Sequence, residues 1–170
     1  MNINQKIIIF SGHDYSGKTT IAKALSKEIG IPYFKDEATL RKFKEGNRFV
    51  EYLNDQNYII QFLEQTKYSV IIDRAYESEW VYSQIFNRKQ NMVLLHAIDY
   101  LFFLLGTKII VCEKDLREYE DEVIAIKKIA AIKKKYREFC RWSRCKCLRI
   151  NTSDENLTSQ IKIIKEFVDV

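Results

Sequence analysis

The chain has 170 residues, 46% of them hydrophobic and 13% aromatic, with a formal net charge of +5. That length suits one α/β domain of roughly 100–200 residues with a full core, and the aromatic content excludes a disordered chain. A single proline and five glycines leave no obvious linker, no internal repeat is visible, and the reading is one domain over residues 1–170.

Taken in chain order, residues 6–11 form a continuous aliphatic run, the mark of a central parallel strand covered on both faces. The run stops at Gly12, too short for a signal peptide or a membrane span. Residues 18–29 follow as a helix with Ile21, Leu25 and Ile29 on one stripe and a glycine stop at Gly30. A short second strand is predicted over 31–34, and helices over 38–45 and 54–67. The third strand, 69–73, ends in Asp73-Arg74. Helices at 77–88 and 91–105 come next. The most apolar segment, 92–106, is interrupted by His96 and Asp99 and is shorter than the roughly 20 residues a bilayer needs, so it reads as a buried helix. The fourth strand is 107–112 and the fifth 145–150, with a long helix between them and a terminal helix at 155–168. Strands alternating with helices imply a three-layer α/β sandwich with a five-stranded parallel sheet and helices on both faces. The ligand then sits beyond the carboxyl ends of the strands, where residues 12–19, Asp36-Glu37, Asp73-Arg74 and the segment after Cys112 converge.

Cys112, Cys140, Cys145 and Cys147 fit free thiols of a reducing compartment. The Cys145-x-Cys147 alternation places both sulfurs on one strand face, and no second ligand pair at zinc-site spacing accompanies them. A cytoplasmic protein with no membrane association is expected.

Residues 12–19, GHDYSGKT, match G-x-x-x-x-G-K-[ST], directly after a strand and directly before a helix, as the pattern requires. Its glycines let successive backbone N–H groups curl around phosphate oxygens, and the helix N-terminus adds positive potential. The candidate nucleotide-binding residues are therefore Gly12, His13, Asp14, Tyr15, Ser16, Gly17, Lys18, Thr19 and Thr20. Lys18 is placed to reach the β- and γ-phosphates, and the Thr19 hydroxyl to ligate Mg²⁺ together with Asp73. The guanine-reading Asn-Lys-x-Asp of switch GTPases does not occur. Arg74 stands where motor ATPases carry the water-activating glutamate, and a cation there suits holding a second anion. Asp14 is the odd residue, a carboxylate inside an anion-binding loop. Turn capping is one explanation for it.

GHDYSGKTT together with DRAYESEWVYSQ (73–84) resembles the thymidylate kinases and, more loosely, the deoxynucleoside kinases. Gly12, Asp14, Gly17, Lys18, Thr19 and Thr20 match the family's G-x-D-G-x-G-K-T-T; Asp73, Arg74, Ser78 and Tyr82 match its D-R-x-x-x-S-x-x-A-Y-Q. The resemblance implies that Asp14 approaches the acceptor's sugar hydroxyl and that Arg74 holds the acceptor's phosphate. It further implies a lid over about 114–123, with Arg117 and Glu122 as its charged residues, and a tyrosine on the long helix that Tyr136 mirrors. The family's Arg-Glu-Pro-Gly-Gly-Thr is missing, and residues 35–42 read KDEATLRK instead. Glu37 stands where deoxynucleoside kinases use an acid as base, and Arg41, one helical turn on, is a candidate for an acceptor phosphate. Tyr33, Phe34, Phe49, Tyr52, Tyr76 and Trp80 are candidates for stacking a base, and Gln84 for bonding its edge.

Between Lys127 and Arg149 stand ten Lys or Arg against one acid, Glu138. This stretch is either a solvated face or a polyanion surface. The resemblance implies an ATP- and Mg²⁺-dependent kinase acting on a deoxynucleoside monophosphate, with a homodimer formed through the apolar helix. One alternative is a deoxynucleoside kinase using Glu37 as base. Another, of a different class, is a protein that binds or phosphorylates nucleic acid through residues 127–149.

Overall fold

A computed structural model describes residues 5–35, 49–115, 126–154 and 156–170. Five parallel strands, β1 (Ile7–Gly12), β2 (Tyr33–Phe34), β3 (Val70–Asp73), β4 (Lys108–Glu113) and β5 (Lys146–Asn151), form one sheet in the order β2-β3-β1-β4-β5. β1 is central: Ile7 to Phe10 pair with Val70 to Asp73 on one side, and Ile8 to Gly12 with Lys108 to Cys112 on the other. Such a strand has no solvated side. All of its residues are buried, which is why its sequence is aliphatic without polar alternation.

Six described helices cover the two faces: α1 (Lys18–Ile29), α2 (Phe49–Thr66), α3 (Tyr76–Ile85), α4 (Met92–Leu104), α5 (Ile126–Trp142) and α6 (Leu157–Val168). The period-two pleat sorts the strand side chains. Ile8, Phe10, Ile71 and Ile110 pack with Ile21 and Leu25 of α1 and Ile161 and Ile164 of α6. Ile7, Ile9, Ile72 and Ile109 pack on the other face with Leu53, Tyr76, Phe102, Ile132 and Phe139. Burying one such side chain contributes about 1.5–3 kcal/mol, so the two clusters hold the three layers together. The three-layer α/β sandwich expected from the alternation of strands and helices is the architecture found.

Three details differ for physical reasons. β2 shrinks to Tyr33–Phe34, since Pro32 before it has no N–H to give to the ladder. α2 begins at Phe49 and not at 54, since Tyr52 and Leu53 extend its buried stripe upstream. The apolar α4 is only half buried: Leu95, Ile98, Asp99 and Phe102 face inward, while Val93, Tyr100, Leu101, Phe103 and Leu104 are exposed. An outer-layer helix meets the core along one stripe, whatever the other positions carry. Asp99 is buried at no cost in lost hydrogen bonds, because it accepts from the Tyr76 hydroxyl (2.7 Å), the Ser143 hydroxyl (2.5 Å) and the Arg144 N–H (3.0 Å). The helix expected over 38–45 lies outside the described residues. Among the described residues no helix is long and apolar enough to cross a membrane.

Candidate active site

The carboxyl ends of β1, β3, β4 and β5 share one edge, and the chain leaving each of them converges there. From β1 comes the loop 12–17. Gly12 opens it at φ +136, and a Cβ at that position would lie 2.3 Å from the Cys112 carbonyl oxygen of β4. Only glycine lets the two strand ends lie that close. Gly17, at φ +78, closes the loop as the N-cap of α1.

Lys18 begins α1 and is buried. Its Nζ lies 3.7 Å from Asp14 Oδ1 and donates to the His13 carbonyl at 3.5 Å. Burial lowers its pKa to about 8; the Arg74 cation adds to the effect, and Asp14 and Asp73 oppose it. An arriving anion favours the charged form of such a lysine, which suits a phosphate ligand. Thr19 donates its hydroxyl to Asp73 Oδ2 at 2.6 Å, and the Tyr33 hydroxyl donates to the same oxygen at 2.8 Å. The second oxygen, Asp73 Oδ1, is buried and has no hydrogen-bond partner among the described residues. A buried carboxylate oxygen left without a donor is a place for a cation, so Thr19 and Asp73 fit Mg²⁺.

Arg74, the residue after β3, adopts a left-handed backbone at φ +72, with its N–H held by the Phe10 carbonyl at 2.9 Å. Its Nη2 donates to Asp14 Oδ1 at 2.5 Å, and its guanidinium lies 5.4 Å from the centre of the Tyr82 ring. Tyr136 packs edge-on against Tyr82, with ring centroids 6.5 Å apart. The Tyr136 hydroxyl accepts from Ser11 Oγ at 3.0 Å and donates to the Gly12 carbonyl at 3.4 Å. Asp14 is therefore drawn out of its own loop toward Arg74, and the two stand beside Lys18. Turn capping does not describe it.

Of the remaining candidates, Ser16 is buried, with its N–H on the His13 carbonyl at 3.3 Å. Thr20 and Tyr15 are exposed at the mouth. His13 is buried and turned toward Lys114. Ser78 is buried in the first turn of α3 and donates to Glu77 Oε1 at 3.2 Å. Glu37, Arg41 and Arg117 lie outside the described residues, as does Glu122. Tyr52, Tyr76 and Trp80 are core residues, and Tyr33 spends its hydroxyl on Asp73. Phe34 is exposed on the edge strand, and Gln84 donates to the Trp80 carbonyl at 2.9 Å.

Two residues that sequence reasoning passed over belong to the site's frame. Glu77 is fully buried and accepts the Ala75 N–H on both oxygens (3.0 and 2.9 Å), which fixes the turn carrying Arg74. Burial raises its pKa above the usual carboxylate range. An acid in a helix's first turn was its sequence signal. Thr152, after β5, donates to the Ser16 carbonyl at 2.7 Å and to Glu113's at 3.2 Å. Nothing local marked it.

The basic stretch divides between α5 and β5 and meets carboxylates from elsewhere in the chain. Lys133 pairs with Asp115 at 2.5 Å, and Arg137 and Arg149 pair with Glu113, both at 3.1 Å. A cavity of about 390 Å³ opens at the opposite edge of the sheet, lined in part by Lys6, Leu105, Lys108 and Asp169. Its two lysines are already bound to carbonyls at the end of α6: Lys6 to Val168 at 3.1 Å and Lys108 to Phe167 at 2.6 Å. It stands far from this chemistry.

A phosphate loop on the central strand, a threonine and an aspartate set for a cation, and a second cation facing the loop on a parallel sheet make a site fitted to phosphate groups and a metal ion. The chain is similar over nearly its whole length to YorR from Bacillus subtilis, solved in complex with phosphorylated GDP. The two share 26% identity with a TM-score of 0.73, covering 96% of this chain and 95% of that one. The fold is also that of thymidylate kinase from Ehrlichia chaffeensis (TM-score 0.63, 15% identity, 98% and 99% covered). It is shared by deoxyadenosine kinase from M. mycoides with bound dATP (0.58, 20%, 98% and 100%). No protein-family model and no curated protein matches the sequence. The thymidylate-kinase resemblance read from the two motifs agrees with the fold of these neighbours.

Proposed function

We propose that the protein transfers the γ-phosphoryl group of ATP to a deoxynucleoside monophosphate. The observation that carries this reading is Arg74, a guanidinium anchored on Asp14 and Tyr82 beside Lys18. A monophosphate brings roughly two negative charges to a cleft already holding ATP, and an arginine fork can hold such a group bidentately. Lys18 and the loop N–H groups hold the donor's phosphates; Thr19 and Asp73 would hold Mg²⁺, which neutralises charge on the transferred group when bound. An oxygen of the acceptor phosphate attacks Pγ, the bond to the β,γ-bridging oxygen breaks, and ADP leaves. That nucleophile is already ionised, so the protein's contribution is position and charge.

Asp14 and Ser78 orient the acceptor in this reading, and Glu37, Arg41 and Arg117 are proposed for the roles that the family resemblance implies. The phosphorylated GDP held by YorR puts guanine nucleotides in the test panel. Four free cysteines suit a reducing, cytoplasmic setting. The test is ADP release, coupled to a second enzyme, over matched nucleosides and monophosphates of all common bases. Turnover with monophosphates supports the reading. Turnover with nucleosides alone replaces it by a nucleoside kinase, and label passing to an oligonucleotide replaces it by a nucleic-acid kinase.

A further inference from the structure

We propose that His13 is a positioning residue that sets the direction of the Asp14–Tyr15 peptide, so that the Tyr15 N–H faces the phosphates held by the loop. The inference rests on the P-loop kinase reading given above. The first observation is strain: Tyr15 sits at φ +61 in the loop, a left-handed backbone that glycine adopts freely and tyrosine does not. Tyr15 is 65% exposed, so its side chain is not driven there by burial. The strain is relieved if the preceding peptide turns over, because that rotation carries φ of Tyr15 back to negative values.

The second observation is what opposes that rotation. His13 Nδ1 lies 2.6 Å from the Asp14 carbonyl oxygen. So short a contact to an acceptor requires the proton on Nδ1, so the ring donates. The other nitrogen, Nε2, meets the Lys114 backbone across 101 residues of sequence, 3.0 Å from its carbonyl oxygen and 3.2 Å from its nitrogen. Those contacts hold the plane of the ring, and His13 is 1% exposed. The Asp14 carbonyl is thus pinned to a buried side chain anchored at the end of β4. In a trans peptide the C=O and the following N–H point in opposite directions, so the Tyr15 N–H is aimed away from the interior, into the mouth of the loop. A histidine thereby does what a glycine at position 15 would do by having no strain to relieve.

The test compares His13→Leu, His13→Asn, Tyr15→Gly and the Tyr15→Gly/His13→Leu pair, by ADP affinity and, where turnover is found, by KM for ATP and for the acceptor. His13→Leu should weaken ADP binding and raise KM for ATP about tenfold, with the acceptor KM unmoved. An asparagine amide can donate from nearly the same place as Nδ1, so His13→Asn should recover most of the loss. In the Tyr15→Gly background the leucine change should cost about threefold or less, since glycine has no strain to drive the peptide over. Wild-type ADP affinity in His13→Leu, an equal loss in both backgrounds, or an asparagine no better than leucine would each overturn the proposal and leave His13 as packing. If His13→Leu does not fold, His13→Ala, which also removes the donor, takes its place with and without Tyr15→Gly. A wild type that binds ADP but phosphorylates nothing overturns the kinase reading alone, and one that binds no ADP overturns both.

Discussion

Arg74→Lys keeps the charge in the cleft and removes the planar fork, so it isolates what the guanidinium's shape contributes. In the structure that group donates to Asp14 at 2.5 Å while lying 5.4 Å from the Tyr82 ring centre, and a guanidinium carries further N–H donors beside that one. A single ammonium cannot bond Asp14, stack on Tyr82 and grip a phosphate together. A hydrogen bond to a charged group contributes about 1.5–3 kcal/mol, so losing one such contact to the acceptor costs about 10–150-fold in kcat/KM. The donor side should hardly move, because Lys18, Thr19 and the loop are untouched. Steady-state kinetics of ADP release, varying ATP and a monophosphate in turn, read the two effects separately. Glu37→Gln, assayed beside it, should be mild, since an ionised phosphate needs no base. A healthy Arg74→Lys beside a dead Glu37→Gln would refute the reasoning and point to a sugar hydroxyl as the nucleophile.

Lys18→Ala should cut kcat on the order of 10² or more with the fold intact, checked by kinetics and a melting curve. Lys18 is charged below its pKa of about 8 and neutral above it, so donor affinity of the free enzyme should fall as pH rises through 8. Lys18→Arg, charged throughout, should flatten that dependence, and an unchanged profile would remove Lys18 as its source. Asp73→Asn leaves an amide facing Thr19 and Tyr33 but takes the charge from the cation site, so the Mg²⁺ concentration for half-maximal rate should rise about tenfold. A wild-type Mg²⁺ titration would move the metal elsewhere. Lys133, Arg137 and Arg149 are already paired, so a short single-stranded oligonucleotide should bind weakly and should not inhibit nucleotide phosphorylation. Tight binding that falls steeply with salt, with label passing to the strand, would favour a nucleic-acid acceptor.

What the sequence determined by itself is whatever depends on neighbours in the chain. The unbroken apolar run at 6–11, the helical stripe of α1 and the glycines at 12, 17 and 30 act through local backbone geometry, so strand, loop and helix follow from their order. The alternation of strands and helices extends this to a parallel sheet, because short right-handed connections leave few other arrangements. The loop's anion chemistry was legible for the same reason, its donors being consecutive peptides. Tertiary structure decided everything that needs two distant segments at one point. Asp14 meets Arg74 across 60 residues, Tyr33 meets Asp73 across 40, and Thr152 meets Ser16 across 136. No local pattern carries such a distance. That is why Tyr33 read as a stacking platform and proved a hydrogen-bond donor, and why Thr152 drew no attention. Half of α4 lies exposed for a related cause: burial is a property of what packs against a helix, and composition alone does not state it.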